Sequence, residues 1–218
     1  MTMFLAAGGA LIACYLIGAV PFGLIIGKVF FRGVDIRALG SGNIGATNVG
    51  RVFGRRWGVI AFALDVLKGL VPVAIVGMTI GRVSGSVGFC YPSTLTVLAG
   101  ASAICGHIFP IYLGFKGGKG VATSCGVLAY LSPWGTLIAL GTWLVVVTIW
   151  RYVSLGSIVA AIVFLVYILV SEQRAGWPAK AMVIFACHIA GLVIIRHRSN
   201  IQRLLAGTEN KIGMRDKR

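Results

Sequence analysis

Long uncharged runs constrain this chain more than any other feature. No residue from Met1 to Gly27 carries a charge, none from Val83 to Phe115, and none from Gly120 to Trp150. A helix that crosses a bilayer needs about 20 mostly apolar residues, and a chain divided into such runs has few alternatives. The composition agrees, with 58% of residues hydrophobic and 11% charged, against about 25% charged in a soluble domain. The same figures exclude disorder. Met1 to Gly27 lacks the basic start and short apolar core of a signal peptide, so it reads as a retained first membrane helix. The five cysteines (Cys14, Cys90, Cys105, Cys125, Cys187) are scattered without a Cys-x-x-Cys pair and read as small packing residues.

The charges that remain are one-signed: 20 Lys and Arg against 5 Asp and Glu. A nucleic-acid binder would carry them on a soluble domain, and none is present. The other meanings of a basic excess are the anionic cytoplasmic membrane face and anionic substrates.

Spanning helices are expected over 3–27, 57–81, 93–113, 152–171 and 179–195, with a turn-rich piece at Ser84 to Pro92. The run from Gly120 to Trp150 is too long for one crossing and contains Ser132-Pro133, where a break is favoured. Its first part is short alone and is expected to begin inside the preceding glycine-rich segment. The positive-inside rule decides between one crossing and two. With two, seven helices place the N-terminus outside. Arg32, Arg37, Arg51, Arg55, Arg56, Lys116, Lys119, Arg151 and the basic tail then lie inside, against Arg82, Arg174 and Lys180 outside. With one, the tail flips out and the asymmetry vanishes. The expected fold is an all-α polytopic membrane protein of about seven helices, some short, with a cytoplasmic C-terminus. Residues 1–218 form one integral-membrane domain.

Three polar segments then share the cytoplasmic side and are expected to converge on one site: 33–56, 114–123 and 196–213. The first holds Gly40-Ser41-Gly42-Asn43-Ile44-Gly45-Ala46-Thr47-Asn48-Val49-Gly50-Arg51. Glycines let several N–H groups turn toward one anion. Ser41, Thr47 and Asn48 add side-chain donors, and Arg51 adds a planar fork for phosphate oxygens. The second, Gly114 to Thr123, sets Lys116 and Lys119 among glycines before an apolar helix, another phosphate-favouring arrangement. It is not a nucleotide P-loop, because Gly120 stands where Ser or Thr is needed. The third follows the last helix. Leu204 and Leu205 suggest an amphipathic piece on the membrane surface, and His197 and Asn200 share a helical face. Ordinary loops, topology-anchoring lysines and a lipid-binding tail are the plainer readings of the three segments.

His107 ends the third helix, where a backbone carbonyl often satisfies an imidazole. Asp65 and Lys68, one turn apart inside the second helix, fit a structural pair or a functional one equally. Arg151 and Ser154 sit in a short cytoplasmic turn. No metal-like cluster of His, Cys or acids is visible, no histidine has an aspartate five residues later, and no G-x-S-x-G elbow occurs. An enzyme built this way relies on positioning and charge stabilisation, and so on an already activated substrate. The residues alone leave three classes open: enzyme, transporter of an anionic solute, and anionic-lipid binder.

SGNIGATNVGR (41–51), GHIFPIYLGFKGGKGVAT (106–123) and HRSNIQRLLAGTENKIG (197–213), in that order, resemble the PlsY family of bacterial integral-membrane acyl-phosphate:glycerol-3-phosphate acyltransferases. LDVLKG (64–69) and RYVS (151–154) match as well. The resemblance implies acyl transfer from acyl phosphate to the 1-hydroxyl of glycerol 3-phosphate, giving lysophosphatidic acid and phosphate, the first step of bacterial phospholipid synthesis. It implies catalytic roles for Ser41, Arg51, Lys119, His197 and Asn200. Phosphate binding would fall to Ser41, Gly42, Asn43, Gly45, Thr47, Asn48, Lys116, Gly117, Gly118, Lys119 and Ser154, with His107, Glu209 and Lys211 in support. It further implies no cofactor and no metal, a substrate phosphate as the base, membrane lipids as surroundings, a monomer, and an inner-membrane location with the site facing the cytoplasm.

Overall fold

The computed structural model describes residues 2–83, 93–171 and 177–213. Cys90, Arg174, the turn-rich piece at Ser84 to Pro92 and the basic residues after 213 lie outside them. The regular elements among the described residues are all helices, and the chain groups into two compact units, Met1–Leu131 and Ser132–Arg218.

The first unit contains α1 (Thr2–Gly18), α2 (Phe22–Phe30), α3 (Ala46–Phe53), α4 (Arg55–Val83), α5 (Thr94–Ile108) and α6 (Val121–Leu131). The second contains α7 (Pro133–Trp150), α8 (Val153–Ser171), α9 (Trp177–Arg196) and α10 (Arg198–Leu205). The apolar runs expected to be helical are so, though not each as a single helix. Among the described residues, four helical stretches are long and apolar enough to cross a membrane (α4, α7, α8, and α5 with the 3₁₀ turn Ile111–Leu113 that follows it), or up to six if each of two bent pairs is one span. Side chains on α7 such as Leu137, Leu144, Val145 and Ile149 are more than half exposed. Such a surface suits lipid rather than water.

Several boundaries differ from the sequence reading. The stretch 3–27 is not one helix: α1 and α2 meet at a 45° bend. Pro21 lacks an N–H and cannot continue the ladder, and the carbonyl of Val20 at the break accepts from Lys68 Nζ at 2.7 Å. The break at Ser132-Pro133 is where it was expected. The helix before it does not reach back among the glycines 114–120, however. Gly114, Phe115 and Gly120 have φ of 57°, 64° and 81°, left-handed backbone that a right-handed helix does not tolerate. So α6 starts at Val121 and is short.

The segment 33–56, read as a loop, is largely structured. A 3₁₀ turn covers Ile36–Ala38 and α3 covers Ala46–Phe53. Its apolar side packs into a cluster of Ile26, Ile36, Ile44, Val49 and Ala61. The Phe31 and Phe53 rings stack against it, 4.0 Å apart. α10 forms after a 57° bend from α9, with Asn200 buried and Leu205 85% exposed.

Candidate active site

The first glycine-rich segment is organised by Asn48, which is 1% exposed. Its Oδ1 accepts from the Ser41 N–H at 2.8 Å. Its Nδ2 donates to the carbonyls of Leu39 at 3.0 Å and Asn43 at 2.9 Å. Gly40 lies so close that a Cβ there would overlap Asn48 Oδ1. The Gly42 N–H donates to Leu39 O, and the Gly45 N–H to Asn43 Oδ1. The side chains of Asn43 and Asn48 and the N–H groups of Ser41, Gly42 and Gly45 therefore hold the loop's own shape. What faces outward is different: exposed Ser41 and Thr47, and half-buried Arg51 in the last turn of α3. In the first turn of α3 the Asn48 and Val49 amides donate to the Gly45 carbonyl, and those of Ala46 and Thr47, by helix geometry, lack an intrahelical one. Beside this loop, the Arg37 guanidinium bonds both oxygens of Asp35. It holds that carboxyl down at about 2.

The second segment leaves α5 at Phe109-Pro110 and doubles back on its end. The Gly117 and Gly118 N–H groups donate to the carbonyls of Ile108 and His107 at 3.2 and 3.1 Å. These amides thus stitch the loop to α5, and the cationic side chains are its substrate-facing candidates. Lys116 is exposed and Lys119 half-buried.

Under this loop lies a buried polar chain. Lys68 Nζ sits 2.8 Å from Asp65 Oδ1, their side chains 2% and 3% exposed. Asp65 Oδ1 is 3.7 Å from His107 Nδ1, and Nδ1 is 3.1 Å from Thr123 Oγ1 in the first turn of α6. The Asp65–Lys68 pair, readable from its spacing, is therefore formed, and its contacts extend to two further helices. The part of Thr123 was not visible in the sequence, because Thr123 is far along the chain from Asp65.

In the second unit, Glu209 gathers three donors. Ser154 Oγ and Asn200 Nδ2 donate to Oε1 at 2.7 and 2.6 Å, and Arg203 Nε donates to Oε2 at 2.7 Å. Burial pushes the Glu209 carboxyl up, but these hydrogen bonds and the Arg203 charge outweigh it and hold it below its ordinary value. A Ser154 hydroxyl donating its one proton here has none left for a phosphate. His197, 2% exposed, pairs Nδ1 with the Val193 carbonyl at 2.8 Å. The tail returns along Arg151, whose backbone carbonyl accepts from the Ile212 N–H while its guanidinium donates to Ile212 O. Lys211 lies over the Tyr152 ring. Glu209 and Lys211 thus both make contacts that tie this corner together. Arg203 was missed: it is one of several arginines in its segment, and only its contact with Glu209 sets it apart.

The sequence matches the model of the glycerol-3-phosphate acyltransferase family over residues 9–207. It is 44% identical to a glycerol-3-phosphate acyltransferase of Trichlorobacter lovleyi over 197 residues, covering 90% of this chain and 93% of that one. It is 42% identical to one of Aquifex aeolicus over 200 residues, covering 92% and 96%. Crystal structures of PlsY, an integral membrane glycerol 3-phosphate acyltransferase, superpose with TM-scores of 0.81 in the glycerol 3-phosphate form and 0.78 in the lysophosphatidic acid form. Both cover 95% of this chain and 96% of that one, at 41% and 40% identity. With matching motifs, helices and fold, this chain belongs to the PlsY family of integral-membrane glycerol-3-phosphate acyltransferases.

Proposed function

We propose that this chain, an acyltransferase, moves a fatty acyl group from acyl phosphate to the 1-hydroxyl of glycerol 3-phosphate. The hydroxyl oxygen attacks the acyl carbonyl carbon, and the bond from that carbon to the phosphate oxygen breaks. The hydroxyl proton passes to a phosphate oxygen of the substrates. The products are lysophosphatidic acid and inorganic phosphate. The observation that carries this reading is the likeness, over nearly the whole chain, to a relative solved in its glycerol 3-phosphate form.

The local chemistry supports the donor. An acyl phosphate brings its own leaving group, so the protein has only to hold two phosphates and stabilise charge. In the first unit we assign that work to Ser41, Thr47 and Arg51 beside the α3 N-terminus, and to Lys116 and Lys119. Gly42, Asn43, Gly45, Asn48, Gly117 and Gly118 serve by shaping the two loops. In the second unit we assign it to His197 and Asn200, with Ser154, Glu209, Arg203 and Lys211 bracing them. We place this chemistry at the cytoplasmic face of the inner membrane, following the basic loops.

Purified protein in detergent, given acyl phosphate and glycerol 3-phosphate, tests the reading. Phosphate release that requires glycerol 3-phosphate is the expected result. Release of none by intact protein would refute it. A labelled cysteine in the 114–120 loop, modified from the cytoplasmic side only, checks the orientation.

A further inference from the structure

We infer that Asp65, Lys68, His107 and Thr123 form a buried positioning device that sets the backbone of the 114–120 loop and thereby aims Lys119. This rests on reading Lys119 as a phosphate-binding residue. None of the four is needed to touch substrate.

A buried ion pair is weak grounds for stability, since well-packed apolar residues often serve as well. What this pair has instead is connections. Lys68 Nζ reaches the Val20 carbonyl at the α1–α2 break. The Asp65 carboxylate faces the His107 ring. Thr123 Oγ1 holds the same ring nitrogen from the start of α6. Gly118 lies against the other ring nitrogen, so closely that a Cβ there would overlap Nε2. The ring thus sits as a wedge under the residue that precedes Lys119. Its tilt is fixed from α4 by Asp65 and from α6 by Thr123, and the loop is tied down beside it by the Gly117 and Gly118 amides. A ring free to swing would move Gly118 and redirect Lys119.

On its other side the same chain of contacts steadies the first loop. The α2 helix starts just past the carbonyl that Lys68 holds, and Gly23 in its first turn abuts the Ile44 carbonyl. One buried charge pair therefore underlies both glycine-rich loops of this unit.

The full chain in detergent micelles tests this by amide hydrogen exchange and by turnover. Thr123→Val keeps the shape and removes the hydroxyl. Exchange in 114–120 should then rise about tenfold, the equivalent of one buried hydrogen bond, with α8 and α9 unchanged. Turnover should fall by about the same factor, and Thr123→Ser should recover most of it. In a Lys119→Ala background the same change should cost less than about twofold further, because the residue being aimed is gone. Should Thr123→Val not fold, Gly118→Ala displaces the same ring from its other side, at Nε2, and its loop exchange and turnover are read the same way. Unchanged loop exchange, or equal proportional losses in both backgrounds, would overturn the inference. If the wild type releases no phosphate, the proposed reaction fails. Loop exchange still decides the device, because a rise supports it and no change overturns it.

Discussion

Replacing Glu209 by Gln isolates the corner that holds Asn200. The change keeps the shape and removes the charge. Gln retains one carbonyl oxygen for Ser154 and Asn200 but turns an NH₂ group toward Arg203 Nε, donor against donor. The Arg203 pair is half open to solvent, with its side chain 39% exposed, so its loss is worth only about 1 kcal/mol. The two remaining bonds fall from charge-assisted strength to ordinary strength, about 1 kcal/mol each. The total is about 3 kcal/mol, or roughly a hundredfold in a local opening equilibrium. Hydrogen exchange of 198–213 in detergent should therefore quicken by about that factor, with the first unit unaffected. Turnover should fall with it, since Asn200 is no longer held. In an Arg203→Met background, Glu209→Gln should cost less, because residues in one network do not add. Strict additivity, or unchanged exchange, would show that Glu209 is not the organiser of this corner.

The same carboxylate carries a pH signature. Glu209 titrates below its ordinary value when folded. Its contribution is complete above the unfolded carboxylate range, about 4.3, and is lost as pH falls through the folded value. An acid titration of 198–213 exchange should show this loss in the wild type and not in Glu209→Gln. Lys119→Ala and Arg51→Ala should each remove most phosphate release while expression and membrane insertion stay intact. Near-normal turnover in both would refute the site assignment but not the reaction. Asp65→Asn alone strands the Lys68 ammonium in the interior and should destabilise the chain by about 3–5 kcal/mol in thermal unfolding. Asp65→Leu with Lys68→Met removes both charges and should fold nearly as well as the wild type, yet turn over poorly. A double variant with full activity would make the pair purely structural.

The helical frame was legible because uncharged runs and Pro133 act locally. The break at Pro21 was equally visible as a residue. It was missed because counting charges treats Met1 to Gly27 as one run. α3 was hidden for another reason: Gly-Ala-Thr-Asn-Val-Gly-Arg has poor helix propensity, and packing of Val49 and Phe53 makes it a helix. In the candidate site, residue types were readable and their employment was not. Asn48 was counted as a donor for substrate, and the structure gives its amide to the loop. Asp65 and Lys68 were readable as a pair because they are one turn apart, whereas His107 and Thr123 join them only through the fold. Nothing in the spacing of Arg203 announces Glu209.

The shortness of α6 bears on how the protein is made. Eleven residues rise about 16 Å, roughly half of the ~30 Å hydrocarbon core, so no insertion machinery could retain this stretch as a span in its own right. It is kept instead by backbone-close contact with α4, where a Cβ at Gly126 would overlap the Val66 carbonyl and one at Gly69 the Thr123 carbonyl. The segment bearing Thr123 can therefore take its place only once α4 is already in the bilayer. The α6 end of the loop that carries Lys119 is thus held by tertiary packing on α4 rather than by its own length in lipid.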